Sequence, residues 1–158
     1  MKQNTLILLF IIPISILFSQ KEILKEDIFL NWTFSQDQVY GLNSMNDGIH
    51  YTTLERGDTM SIEKHSYQSG KKVDVLLKST DIGIKFRSYN FNTDETLILL
   101  ETDSEKIYRY SKKGIYYVYN TITKELQKIS DKKIRLPRFS PNSKYISYVY
   151  RNNIYTYN

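Results

Sequence analysis

His50 and His65 are the only imidazoles in this chain, and each falls in a stretch read as strand, with no motif around it that would make it a general base. A structural or exposed role is expected of both. None of the six glycines, Gly41, Gly48, Gly57, Gly70, Gly83 and Gly114, stands in a G-x-S-x-G nucleophile elbow, so no serine hydrolase site can be assembled from these residues. The absence of cysteine excludes disulfides, thiolate metal sites, a cysteine nucleophile and the acylated cysteine of a lipoprotein. Two separate histidines give no tetrahedral zinc set. Asp47, alone in Ser44–Gly48, supplies too few oxygens for a calcium loop, and no glycine-rich phosphate loop is present. No catalytic residue, metal or cofactor is therefore expected of this chain itself.

The elements that would carry any binding residue read as strands. Fourteen Tyr and seven Phe against three Pro, in a chain with 41% hydrophobic and 25% charged residues, describe a globular all-β protein. Near-helical spacing of Ile23, Leu24 and Ile28 predicts one or two helical turns within Lys21–Leu30. From Ile49 the period changes to two. Strands are expected at Ile49–Glu55, Met60–Tyr67, Val73–Leu77, Leu97–Thr102, Ile115–Asn120, Tyr145–Tyr150 and Ile154–Tyr157. Arg56-Gly57-Asp58, Ser69-Gly70 and Arg151-Asn152-Asn153 supply hairpin turns, so neighbours should be antiparallel. Alternation in Tyr145–Tyr150 puts Ile146, Tyr148 and Tyr150 on one face.

A repeat organises these strands. Ser44-Met45-Asn46-Asp47, Phe91-Asn92-Thr93-Asp94 and Phe139-Ser140-Pro141-Asn142 are alike, each leads into a strand, and the Asp/Asn positions are 47 and 48 residues apart. That spacing is close to the roughly 40 to 50 residues of one four-stranded propeller blade. The side chain of the repeated Asp or Asn is placed to cap its turn. The expected fold is the first two to three four-stranded antiparallel blades of a β-propeller. At most three blade starts are present, the chain stops straight after a strand, and a propeller needs at least about four blades to close, so it reads as part of a longer protein.

Lys2, an apolar run of thirteen residues from Leu6 to Phe18, and then Ser19-Gln20 have the layout of a cleaved signal peptide over residues 1–19, with the propeller region over 20–158. The run is short of the roughly 20 residues of a membrane-spanning helix, so no permanent membrane span is expected and the product is secreted or periplasmic. Removing Lys2 lowers the net charge from +5 to +4. The pairs Lys71-Lys72, Lys112-Lys113 and Lys132-Lys133 lie far apart in sequence and read as solvated loop tips, not as a nucleic-acid surface. Trp32, beside Phe29 and Phe34, reads as a packing residue that docks the N-terminal segment.

Specific strings carry a resemblance. Glu26-Asp27-Ile28-Phe29-Leu30 and Gly41-Leu42-Asn43-Ser44-Met45-Asn46-Asp47-Gly48-Ile49-His50-Tyr51 resemble the opening of bacterial dipeptidyl peptidase IV proteins. Ile107-Tyr108-Arg109-Tyr110-Ser111 and Tyr117-Val118-Tyr119-Asn120 are similar to that family's aromatic-Arg-aromatic-Ser segment and its following strand, and Phe139-Ser140-Pro141-Asn142 to its next blade. The resemblance implies an eight-bladed propeller over a C-terminal α/β-hydrolase domain, in a serine peptidase that releases N-terminal dipeptides with Pro or Ala second. It implies that Arg109 binds a substrate carbonyl oxygen from the central cavity. Tyr110 stands where the family more usually has His. The implied partners are a peptide substrate and that hydrolase domain, and the resemblance leaves a homodimer of the full-length parent open. Two other readings remain: a non-catalytic propeller that binds envelope proteins, and a short β-protein that closes its own edges by association.

Overall fold

Continuous burial along the central strand of the second sheet decides how the chain folds, because side chains that point alternately to its two faces serve two cores. The computed structural model describes residues 22–158, so the expected signal peptide lies outside the described residues. The chain divides into two units, Met1–Asp37 and Gln38–Asn158. The described part of the first holds a helix, α1 (Lys25–Phe29), that buries none of its residues. Phe29, Trp32 and Phe34 are all at least 60% exposed. A five-residue helix has too little apolar stripe to cover three aromatic rings.

The second unit is three antiparallel sheets. The first takes β1 (Asn43–Ser44), β2 (His50–Glu55), β3 (Ser61–Ser66) and β4 (Lys72–Lys78), in that spatial order, followed by a short helix, α2 (Ser79–Ile82). The second takes β5 (Ser88–Phe91), β6 (Leu97–Lys106), β7 (Lys112–Asn120) and β8 (Leu126–Lys128), again in order. The third takes β9 (Arg135–Phe139), β10 (Ile146–Tyr150) and β11 (Asn153–Tyr157). Each of the seven strands read from the sequence is present. The third sheet has three strands where the blade pattern has four.

On β6, Ile98 and Leu100 point into a core shared with the first sheet, built on Leu54, Ile62, Leu77, Phe86 and Tyr89. Leu99, one residue out of phase, points the other way into a core with Tyr116, Ile129, Ile134 and Ile146. The second sheet is thus buried on both faces, which is what a stacked blade requires. Each fully buried aliphatic or Phe side chain contributes about 1.5–3 kcal/mol. Ile146, Tyr148 and Tyr150 share one core, as their alternation predicts. The Tyr89 phenol donates to the Gly41 carbonyl and meets the Thr52 hydroxyl, each at 2.6 Å. Gly41 has φ +60°, and a Cβ there would stand 2.8 Å from the Tyr89 ring, so only glycine fits this approach.

The repeated turns are equivalent bond for bond. Backbone N–H groups of Gly48, Glu95 and Ser143 donate to the carbonyls of Met45, Asn92 and Ser140 at 3.1, 3.3 and 2.9 Å. Asp47, Asp94 and Asn142 accept from the N–H two residues on, at 3.0, 3.3 and 3.2 Å, so the expected caps are formed. Successive turns also touch one another. The Asn46 side chain donates to Thr93 O at 2.7 Å, the Asn46 N–H donates to Glu95 Oε1 at 2.7 Å, and Thr93 Oγ1 donates to Pro141 O at 3.1 Å. These contacts join residues 47 to 49 positions apart, which is the repeat itself seen as a stack.

Lys112-Lys113 departs from the reading as a loop tip, since both residues lie on β7, whereas Lys132-Lys133 stays in the bend between β8 and β9. The N–H and carbonyl of Gly114 bond to the carbonyl and N–H of Ile134 at 3.0 and 2.9 Å, an antiparallel bridge whose register lays Lys113 opposite Arg135. Lys112, Lys113 and Lys133 are held in ion pairs, and Lys72 on β4 pairs with Glu63 at 3.0 Å. Antiparallel pairing brings together what 20 residues of sequence separate.

Candidate functional site

Each histidine has a structural place. His50 Nδ1 lies 2.6 Å from Asp47 Oδ2, where with the two backbone donors it closes the first repeat turn. That contact, with the backbone donors and Lys64, holds the Asp47 carboxyl well below the usual carboxylate range against its slight desolvation. His65 stacks on Tyr51 at 5.2 Å and lies 3.0 Å from Thr53 Oγ1. Among the described residues, no acyl-transfer or proton-transfer arrangement surrounds either.

Arg109 stands elsewhere, at the tip of the β6–β7 hairpin. The tip is closed by N–H groups of Ile107 and Tyr108 donating to Ser111 O at 2.9 and 3.3 Å. A short closed turn forces Tyr108, Arg109 and Tyr110 outward, and Tyr110 is 95% exposed. Arg109 is exposed and makes no hydrogen bond or ion pair among the described residues. Below the tip the β6–β7 register shifts between Thr102 and Glu105. Gly114 permits this, since a Cβ there would meet Thr102 O at 3.0 Å.

Two clefts flank the hairpin. The first, of about 380 Å³, lies between the second and third sheets and is bordered by Tyr110, Ser111, Glu101, Lys112, Arg135 and Arg138. The second, of about 420 Å³, is bordered by Ile107, Lys113, Lys132, Lys133, Arg135 and Arg151. Glu101 is the buried charge of this region. Its Oε2 takes both the Lys112 ammonium and the Ser88 hydroxyl at 2.5 Å, while its Oε1 is buried without a partner. Burial pushes this carboxyl up, the Lys112 and Ser88 contacts pull it down, and the balance lies below the ordinary value. Burial, with the Glu101 charge, pushes the Tyr116 phenol up to about 12. Glu101 is therefore ionised and Tyr116 neutral near neutral pH.

Arg135 and Arg138 had no signal in the sequence. Residues three apart on a regular strand face opposite sides. Here Ser147 pairs with Arg138 and Val149 with Arg135, so β9 carries one extra residue, and Leu136 at φ +53° absorbs it. The bulge brings both guanidiniums to the same cleft. Glu101 and Lys112 were equally silent, their pairing being a product of the β6–β7 register.

The family described as dipeptidyl peptidase IV (DPP IV) N-terminal region matches residues 92–158, a span that includes the hairpin and both clefts' principal residues. The crystal structure of Porphyromonas gingivalis dipeptidyl peptidase 4 superimposes with a TM-score of 0.74 and 30% identity over 87% of this chain. This chain is a dipeptidyl peptidase IV-like N-terminal propeller region. Human prolyl endopeptidase FAP is 28% identical over 132 residues, 80% of the chain, and Saccharomyces cerevisiae dipeptidyl aminopeptidase B is 29% identical over 139 residues, 88% of the chain. The chain spans only 16% and 15% of those relatives, and 20% of the bacterial peptidase chain. In this dipeptidyl peptidase IV-like region the three sheets are successive blades, and the arginine hairpin joins the two central strands of the second.

Proposed function

We propose that this chain is the substrate-facing first part of the propeller of a secreted or periplasmic serine exopeptidase, which releases N-terminal dipeptides with Pro or Ala second. In this reading Arg109 donates to a carbonyl oxygen of the bound peptide and sets its position, while the nucleophile, base and oxyanion donors belong to a C-terminal α/β-hydrolase domain. One observation carries it: an exposed guanidinium without a partner among the described residues, on a hairpin tip closed by two backbone bonds and flanked by two clefts. Guanidinium suits the role because it keeps its charge at any working pH and presents fixed donors to a carbonyl. The remainder of the chemistry needs groups that positioning alone does not replace.

The test reads the coding frame past the codon for Asn158 and assays its full product on an Ala-Pro anilide. An open frame leading to a G-x-S-x-G elbow, with dipeptide release, is the expected result. In that enzyme Arg109→Ala should lower kcat/KM roughly 10- to 100-fold through KM, as loss of a charged hydrogen bond does. A frame that encodes only further blades would leave a non-catalytic propeller, and unchanged kinetics in the variant would remove Arg109 from the site.

A further inference from the structure

Around the arginine hairpin the fold gathers cations that the sequence scatters. The antiparallel bridge between Gly114 and Ile134 sets Lys112-Lys113 against the start of β9, which carries Arg135 and Arg138, and Lys132-Lys133 leads into that strand. Three of these charges are answered. Lys112 meets Glu101 at 2.5 Å, Lys113 meets Glu105 at 3.1 Å, and Lys133 meets Asp103 and Glu105 at 3.2 and 3.3 Å. Lys132, Arg135, Arg138 and Arg151 border the clefts without an ion pair among the described residues, and Arg135 borders both clefts.

We propose that these two clefts form a subsite for acidic side chains, which takes the carboxylates of an acidic peptide lying across the hairpin. The proposal rests on the reading of this region as peptide-binding, and it names the class of peptide preferred. The bulge that brings Arg135 and Arg138 together holds Leu136 at φ +53° and 66% exposed. An L-residue in that conformation costs about 1–2 kcal/mol and an exposed leucine recovers none of it, which is the kind of strain that functional surfaces keep. Two guanidinium forks facing one cleft match the planar geometry of carboxylates. The clefts, at about 380 and 420 Å³, have room for side chains of a peptide.

A nucleic acid suits the place less well. The first cleft has ionised Glu101 in its wall, which repels a passing phosphodiester chain, and of its two tyrosines Tyr116 is buried. A peptide can present carboxylates at intervals and leave Glu101 alone.

Fluorescence anisotropy of the 158-residue chain with two equally labelled peptides, Ala-Pro-Asp-Glu-Asp and Ala-Pro-Asn-Gln-Asn, tests the subsite at low salt. The acidic peptide should bind at least about 10-fold more tightly, with the gap narrowing as salt is added. The double substitution Arg135→Gln with Arg138→Gln should erase the gap. Should that variant not fold, Arg138→Glu on the exposed residue carries the same test. Equal binding, no binding of the acidic peptide, or a gap that survives these substitutions would overturn the subsite. So would displacement of the acidic peptide by oligothymidylate of equal charge at lower concentration. Arg109→Gln separates the two readings, since it should weaken both peptides alike and leave the gap. A gap that persists while Arg109→Gln changes nothing would sink the Arg109 reading and keep the subsite.

Discussion

At the scale of single residues the most consequential group is Glu101, 4% exposed and joined to Lys112 and Ser88 through one oxygen. It ties the root of the arginine hairpin, because Glu101 lies on β6 and Lys112 opens β7. Burial raises its pKa, but the contacts led by Lys112 and Ser88 together outweigh it, leaving it below the ordinary 4.5. A carboxyl whose folded pKa is depressed contributes stability that is complete above its unfolded pKa and disappears as pH falls through the folded one. Glu101→Gln should therefore cost about 1–3 kcal/mol at pH 7. The difference from the parent chain should shrink below about pH 4, as the parent's own carboxylate becomes protonated. Urea denaturation of both proteins across that range checks it, and a difference independent of pH would deny Glu101 its charge in the folded chain.

At the scale of elements the repeat is the feature with the most internal support. Gly48, Glu95 and Ser143 occupy the same position in three turns, all with positive φ of 70, 61 and 58°. Glu95 is retained for a reason visible in its carboxylate, which accepts the Asn46 N–H from the preceding turn. Ser143 makes no comparable contact, and a Cβ on Gly48 would meet nothing within 4 Å. Ser143→Gly should thus stabilise the chain by about 1 kcal/mol and Gly48→Ala destabilise it by a similar amount, the same backbone strain read with opposite sign. Thermal denaturation of the two variants measures this, and equal signs would mean that side-chain contacts, not φ, set the cost. These turns were legible in the sequence because an Asx cap and a fixed spacing are local properties. The central strands β2, β3, β6, β7 and β10 were legible too, since short β-type runs between turn signals mark them. Two blade edges, β4 and β11, were legible as well, but the edges β1, β5, β8 and β9 were not. Leu126-Gln127-Lys128 is short and polar, and Pro137 in β9 reads as a breaker although an edge strand tolerates it. The clefts were hidden for the same reason, because a bulge on one of these unread strands forms their wall.

At the scale of the whole molecule, stacking answers the faces of the blades but not every edge. The second sheet has a core on each side, whereas β11 pairs only with β10 and shows a nearly continuous exposed pattern. Ile154 is 77% exposed and Tyr155 43% exposed on this strand, beside a row of backbone donors and acceptors that no ladder uses. An edge of that kind pairs readily with another extended chain, and the relatives, of which this chain spans a fifth or less, have further chain to supply. Taken by itself, the 158-residue chain should associate through this edge, its sedimentation coefficient rising with concentration. Ile154→Lys places a charge on the strand without entering either core, so it should hold the chain monomeric over the same range while leaving the far-ultraviolet spectrum unchanged. If both proteins sediment alike, the edge is covered in solution by something other than a second strand. A rise that persists in the Ile154 variant would instead move the association to another surface, with β4 at the opposite end of the stack the next edge to charge.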